Sequence, residues 1–413
     1  MGKNNDNQNL VVIEFIKSIY NKDKFIPLHE PRFEGNEKKY LIECIDSTFV
    51  SSIGKFVDEF EEKIKKYTGA KYAVACINGT SALQISLKLV GVTTNDEVIV
   101  PSMTFIAPVN AIEYNNAKPI FMDNDDCYTI DVDKTLEFFN RETKTIIKKK
   151  LPVTINKKNG NRIVALIVVH LFGNAVKIDK LMDICRKKNI ALIEDAAESI
   201  GTFYKSGRYK DRHTGTVGKI GCLSFNGNKI ITAGGGGMIL TDNLAIARKA
   251  KYLTTQAKDD PVHYIHNDVG YNFRLTNIQA ALGIAQLESL PKYLKKKKVI
   301  HEIYKNKINK IRGLKISKTS HSNKCNYWLN IIEIDKKLSK KNFSKIITYL
   351  ENAGIEVRPL WYPNHLQRKY KKCQTYELYN INKIYRSRLC IPSSSQLTKK
   401  QQTFICKKLK NIF

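Results

Sequence analysis

The sequence predicts an α/β protein in which a large, mostly parallel sheet covered by helices on both faces is followed by a smaller α+β unit. Two observations carry this. Short apolar runs, EVIVP at 97–101, PIFMD at 119–123, VALIVVH at 164–170 and IALIED at 190–195, alternate with segments of helical spacing. That alternation marks parallel strands joined by crossover helices. The strongly helical TNIQAALGIAQLESL at 276–290 then leads into a lysine-rich stretch at 292–298, read here as the connection to a second unit. The expected division is an N-terminal tail or helix over 1–25, a large α/β domain over 26–290 and a small α+β domain over 291–413.

The elements follow in order. FVDEFEEKIKKY at 56–67 places Phe56, Val57, Phe60 and Ile64 on one helical face, with charge on the other. YAVACI at 72–77 reads as a strand, and NGTSALQISLKLVG follows it. Thr80 or Ser81 there can cap a helix whose first turn offers free N–H groups and the positive end of its dipole, either as a phosphate cradle or as an ordinary cap. The stretch 141–162 is basic and hairpin-like. In the C-terminal unit we expect a strand over 327–334, a helix over 342–353 and a strand over 355–360.

Composition narrows the function classes. The first nine residues, MGKNNDNQN, are polar and unlike a signal peptide, and the longest apolar run, IVALIVVHLF at 163–172, is too short for a membrane-spanning helix. A cytoplasmic location is expected. The opening Met-Gly is not taken as a myristoylation signal, because Asp6 stands where that signal has Ser or Thr. Nine cysteines without a CxxC pair and eight histidines without HExxH spacing predict reduced thiols and no metal site. The formal charge of +30 comes from lysines scattered in small clusters such as 148–150, 295–298 and 407–410, with no RNP, zinc-finger or homeodomain pattern. Nucleic-acid binding is therefore not expected, although the positive potential favours an anionic substrate.

The chemistry concentrates at CLSFNGNKIITAGGGG, 222–237, where Lys229 is the one charged residue. Upstream, the run IALIED ends in Asp195, and ligands of open α/β sheets bind outside the carboxyl ends of strands. Pyridoxal phosphate requires this pairing, a lysine amine to hold its aldehyde carbon and a carboxylate to keep its ring nitrogen protonated. A buried structural lysine could also follow a strand, but would leave the aspartate and hydroxyls without a role.

Eight collinear segments extend this reading: PLHEPRFEGNE at 27–37, VSSIGK at 50–55, NGTSAL at 78–83, PSMTFIAPVNAI at 101–112, EDAAES at 194–199, SFNGNK at 224–229, GYNFRLTNIQAAL at 270–282 and RPLWYPNH at 358–365. Together they resemble the DegT/DnrJ/StrS family of pyridoxal-phosphate sugar aminotransferases, a branch of the aspartate aminotransferase fold (fold type I), over roughly residues 26–400. The resemblance implies that Lys229 holds the cofactor and moves the proton, and that Asp195 pairs with the ring nitrogen. It implies that Glu198 meets the phenolic side of the ring, where many relatives have glutamine, and that Phe105 stacks on the ring face. Thr80, Ser81 and Ser224 would hold the phosphate, and Asn272 would reach the phosphate of a neighbouring subunit, making the active unit a homodimer. Taken singly, Phe105 also fits a core, Ser224 a strand end and Asn272 a turn.

Two departures matter. The common family pattern SFHPxK is altered, with Asn226 and Gly227 in place of His-Pro. NGNKII followed by GGGG, and NKKNGNRIVALIVVH at 156–170, look like the branch that makes 4-amino sugars on a UDP-N-acetylhexosamine. Lysine at 229, where the family's dehydratases carry histidine, implies amine transfer. The implied reaction is ping-pong transfer from L-glutamate to UDP-2-acetamido-2,6-dideoxy-4-ketohexose, giving a bacillosamine or legionaminic acid precursor. GDP-4-keto-6-deoxymannose, giving GDP-perosamine, is the alternative. Arg358, His365 and Lys55 are the candidates for substrate contact, with Arg358 equally able to bind a carboxylate of its own unit. From another class, the chain could be a basic nucleic-acid-binding regulator, a reading that the intact Lys229 and Asp195 oppose.

Overall fold

Ten strands form the large sheet of the computed structural model, which describes residues 25–339 and 341–413. The tail expected over 1–25 falls, Phe25 apart, outside the described residues. In spatial order the sheet runs Tyr72–Cys76, Gly237–Thr241, Ile220–Ser224, Ala191–Asp195, Arg162–Val169, Glu97–Pro101, Lys118–Met122 and Thr375–Tyr376. Pairings from Ile220–Ser224 onward along this path are parallel, and the first two are antiparallel. The basic stretch before residue 162 is a hairpin, Thr143–Lys148 with Leu151–Asn156, that adds antiparallel to the start of Arg162–Val169.

The central strands read as unbroken apolar runs because both of their faces are covered. Val98, Val100, Ile167 and Ile193 pack into one core, whereas Ile99, Leu166, Val168 and Leu192 pack into the other. Successive strand residues point to opposite faces, so each run feeds both cores in alternation. A third core lies under a four-stranded antiparallel sheet ordered Leu314–Ile316, Asn330–Ile334, Arg388–Ile391 and Arg358–Pro359, backed by helices Phe343–Asn352 and Lys399–Lys410.

Three expectations change. The lysine-rich 292–298 is not a connection but part of one helix, Asn277–Ile308, which continues through Pro291 into the region of the small sheet. Its buried positions Tyr293, Lys297, Ile300, Tyr304 and Ile308 keep helical spacing while most lysines point outward. Lys297 is buried, with Nζ donating to the carbonyls of Trp328 at 2.8 Å and Ser393 at 2.6 Å, and burial pushes its pKa well down. The strand expected from 327 begins at Asn330, after a left-handed Tyr327 (φ 52°). The strand expected over 355–360 shortens to Arg358–Pro359.

Candidate active site

The parallel strands deliver their carboxyl ends to one cavity of about 310 Å³. Asp195 closes strand Ala191–Asp195, Ser224 closes Ile220–Ser224, and both line the cavity with Lys229 and Glu198. Helix Gly79–Leu89 aims its N-terminus into the same space. Its cap is Asn78, not Thr80 or Ser81: the Asn78 side chain accepts from the Ser81 N–H at 2.8 Å. Gly79 is needed for the close approach, since a Cβ there would lie 2.9 Å from Ser224 Cβ. Thr80 therefore faces the cavity, whereas Ser81, one residue on, is buried outside its wall.

Lys229 sits in the turn after Ser224, its N–H donating to the Asn226 carbonyl at 3.0 Å. Its Nζ lies 3.6 Å from a Glu198 oxygen and 4.3 Å from the centre of the Trp328 ring. Glu198 accepts the Phe172 N–H at 2.9 Å. Burial pushes the Glu198 carboxyl up to about 7, with the Lys229 charge pulling the other way. Among the described residues the Asp195 carboxylate accepts one hydrogen bond, from the Ala197 N–H at 3.0 Å, and burial raises its pKa against that bond and the Lys229 charge. A buried carboxylate so sparsely paired is costly without a cation.

These residues fit pyridoxal phosphate. Asp195 offers a buried negative charge for a protonated ring nitrogen, and the first turn of Gly79–Leu89 with the Thr80 and Ser224 hydroxyls offers an anion site. Phe105, 51% exposed, brings a flat apolar ring to the wall, and Thr104 Oγ1 is buried there without a partner among the described residues. Three larger hollows, of about 360, 550 and 670 Å³, lie elsewhere and lack this combination, so volume alone does not identify the site.

Besides Ser81, four candidates lie outside the wall. Asn272 accepts from Arg274 Nε at 3.3 Å beside Thr255. Arg358 is held by Glu351 at 3.1 Å and Glu356 at 2.7 Å, the structural use left open by its sequence. His365 Nδ1 lies 2.6 Å from Ser102 Oγ, near the Thr104–Phe105 turn. Lys55 is exposed and paired with Glu43. Conversely, sequence reasoning missed Trp328 and Trp361, both in the wall. It also passed over His29, whose two ring nitrogens are buried without partners among the described residues. Burial, then the Lys297 and Lys229 charges, lower the pKa of that ring.

Among the described residues, no group of three or more His, Cys, Asp and Glu side chains could hold a metal, and no helix is long and apolar enough to cross a membrane.

Comparison with known proteins identifies the family. The profile of the DegT/DnrJ/EryC1/StrS aminotransferase family matches residues 31–410. The chain is 36% identical to GDP-perosamine synthase of Vibrio cholerae, over 94% of this chain and 99% of that protein. It is 34% identical to the putative pyridoxal phosphate-dependent aminotransferase EpsN of Bacillus subtilis, over 94% and 96%. A solved DegT DnrJ EryC1 StrS aminotransferase from Brucella abortus superposes with a TM-score of 0.81 at 25% identity, over 91% of this chain and 95% of that one. With Lys229, Asp195 and the helix N-terminus gathered at one cavity, the chain belongs to the DegT/DnrJ/EryC1/StrS aminotransferase family and is a pyridoxal phosphate-dependent aminotransferase.

Proposed function

We propose that the enzyme moves an amino group from L-glutamate to C4 of a nucleotide-linked 4-keto-6-deoxy sugar, with UDP-2-acetamido-2,6-dideoxy-4-ketohexose as the acceptor. The observation that carries the reaction type is the convergence of Lys229, Asp195, Glu198, Thr80 and Ser224 on one cavity. When bound, pyridoxal phosphate supplies the electron sink that lets a carbon lose or gain the amine. Lys229 Nζ carries the proton between carbon centres, with Glu198 as its charge partner at 3.6 Å. Asp195 holds the proton on the ring nitrogen. Gly79, Thr80 and Ser224 bind the phosphate, and Phe105 covers the ring.

The UDP-linked acceptor is supported by the Asn226-Gly227-Asn228 turn, two of whose members stand in the cavity wall, and by the 156–170 stretch. A second reading, GDP-4-keto-6-deoxymannose, is favoured by GDP-perosamine synthases 33–36% identical to the chain, against 28–29% for transaminases named for UDP-linked sugars. Whole-chain identity weighs the shared cofactor machinery more than the few residues facing a nucleotide, and EpsN, at 34%, carries no nucleotide in its name. Both substrates go into one test. After L-glutamate bleaches the near-visible band of the Lys229-bound cofactor, each nucleotide 4-keto sugar is added in turn. The proposal expects the UDP sugar to restore the band; restoration by the GDP sugar alone selects the second reading.

We also propose a homodimer. Ile53, Val262, Val269 and Tyr264 are each at least 70% exposed, apolar surface that a partner subunit would cover. Asn272, outside its own cavity, would then serve a partner's. Light scattering of the purified protein should give twice the chain mass of 47.2 kDa.

A further inference from the structure

The chain has two tryptophans, and both stand in the wall of the Lys229 cavity. They come from the small-sheet region, Trp328 just before strand Asn330–Ile334 and Trp361 just after Arg358–Pro359. With Phe172 they make a slab of near-parallel rings. Trp361 stacks on Phe172 at 4.4 Å and 25°, Trp328 lies 6.3 Å from Phe172 at 19°, and the two indoles are 6.1 Å apart at 21°.

The slab is fixed from several sides. The Phe172 N–H is bound by Glu198, Lys297 grips the Trp328 carbonyl, and Tyr128 meets Phe172 edge-on at 5.6 Å. Trp328 also spends its one polar handle inside the protein, since Nε1–H donates to the Asn228 carbonyl at 2.8 Å. Trp328, 2% exposed and covered by Lys229, therefore backs the slab without a free hydrogen-bond donor, and the partly exposed Trp361 is the ring left to meet a ligand.

The position of this surface follows from the reaction. The carbon that receives the amine must come within proton-transfer reach of Lys229 Nζ, which stands over the Trp328 ring at 4.3 Å. The ring bearing that carbon must then lie close to the indole. A hexose has a polar rim of hydroxyls but C–H faces, and a 6-deoxy sugar adds a methyl group, so one side of it matches a flat apolar π-surface.

We propose that Trp361, backed by Phe172 and Trp328, forms the platform that receives the hexose ring and is the specificity-determining surface for the sugar and not for glutamate. This rests on the nucleotide-sugar reading above. Because both tryptophans are at the site, tryptophan emission reports on it without relying on turnover.

The test uses cofactor-loaded enzyme with Trp361→Leu, which removes the flat face, and Trp361→Phe, which keeps one. Each is first converted with L-glutamate, followed at the near-visible band, and then titrated with the nucleotide 4-keto sugar while tryptophan emission and recovery of the band are recorded. Trp361→Leu should bind the sugar about tenfold more weakly, the scale of one lost stacking contact, while its glutamate step stays within about threefold of wild type. Trp361→Phe should recover most of the sugar affinity. Unchanged sugar affinity in Trp361→Leu overturns the platform, as does equal loss of both substrates in Leu and Phe variants, which would mark a packing role. If the wild type bleaches with glutamate but recovers with no nucleotide sugar, the substrate reading fails and the platform goes with it.

Discussion

Glu194 and Asp195 are consecutive residues of one strand, both carboxylates and both buried, yet they sit in opposite circumstances. Glu194 faces away from the cavity and is saturated: His170 Nε2 lies at 2.8 Å, and the N–H groups of Gly215, Val217 and Gly218 donate at 2.9, 2.6 and 2.6 Å. Burial alone would raise its pKa, but those bonds hold it below the usual carboxylate range. The Asp195 carboxylate receives a single bond among the described residues, from a backbone N–H, and is pushed up. A carboxylate whose partners are all internal holds the fold together; one left nearly bare at a cavity is held ready for a ligand.

That contrast can be broken at each end. Lys229→Ala should lower amine transfer by about 10³-fold or more, and borohydride should fix no cofactor to the peptide containing position 229. Asp195→Asn should cost about 10²-fold in transfer, while the cofactor-free protein unfolds no earlier than wild type because an expensive buried charge is gone. An earlier unfolding midpoint would place Asp195 with the structural carboxylates. Glu194→Ala should show the reverse pattern. It strands the donors that Glu194 satisfies and should cost about 3 kcal/mol in urea unfolding, with the cofactor still attachable to the folded fraction.

A smaller effect sharpens the comparison. The Glu198 carboxyl titrates near 7 in the folded protein, above its ordinary 4.5, so the folded state binds the proton more tightly than the unfolded one. Its contribution to stability is complete below about 4.5 and is lost as pH rises through 7. Glu198→Gln does not titrate. The melting temperature of the cofactor-free variant, relative to wild type, should therefore climb between pH 5 and pH 8, and a flat difference would count against the shift. Least of all, Arg358→Ala should change stability by no more than about 0.5 kcal/mol and sugar KM by less than about threefold, because its exposed pairs with Glu351 and Glu356 are worth little.

The central sheet was legible because strands buried on both faces must be apolar throughout, as Val98 to Val100 and Ile163 to Val169 are. The pairing of Thr375–Tyr376 with Lys118–Met122, or of Phe203–Tyr204 with Asn323–Lys324, was not, since two residues carry no period and their partners lie far along the chain. Within the site, Lys229 and Asp195 were readable because few chemistries require an isolated lysine downstream of a strand-end aspartate. Trp328 and Trp361 were not, because an aromatic residue near a strand reads as core until its neighbours are known. Arg358 pointed to a ligand in sequence, but Glu356, two residues away, and Glu351 satisfy it locally.

Lys297 has a consequence for how the folded state can be watched. It is the third of four consecutive lysines, and it alone of the four is fully enclosed, at 1% exposure. An amine-acylating reagent should decorate Lys295, Lys296 and Lys298 while sparing the residue between them. The appearance of label at 297 would then time the moment when the long helix lets go of the small sheet.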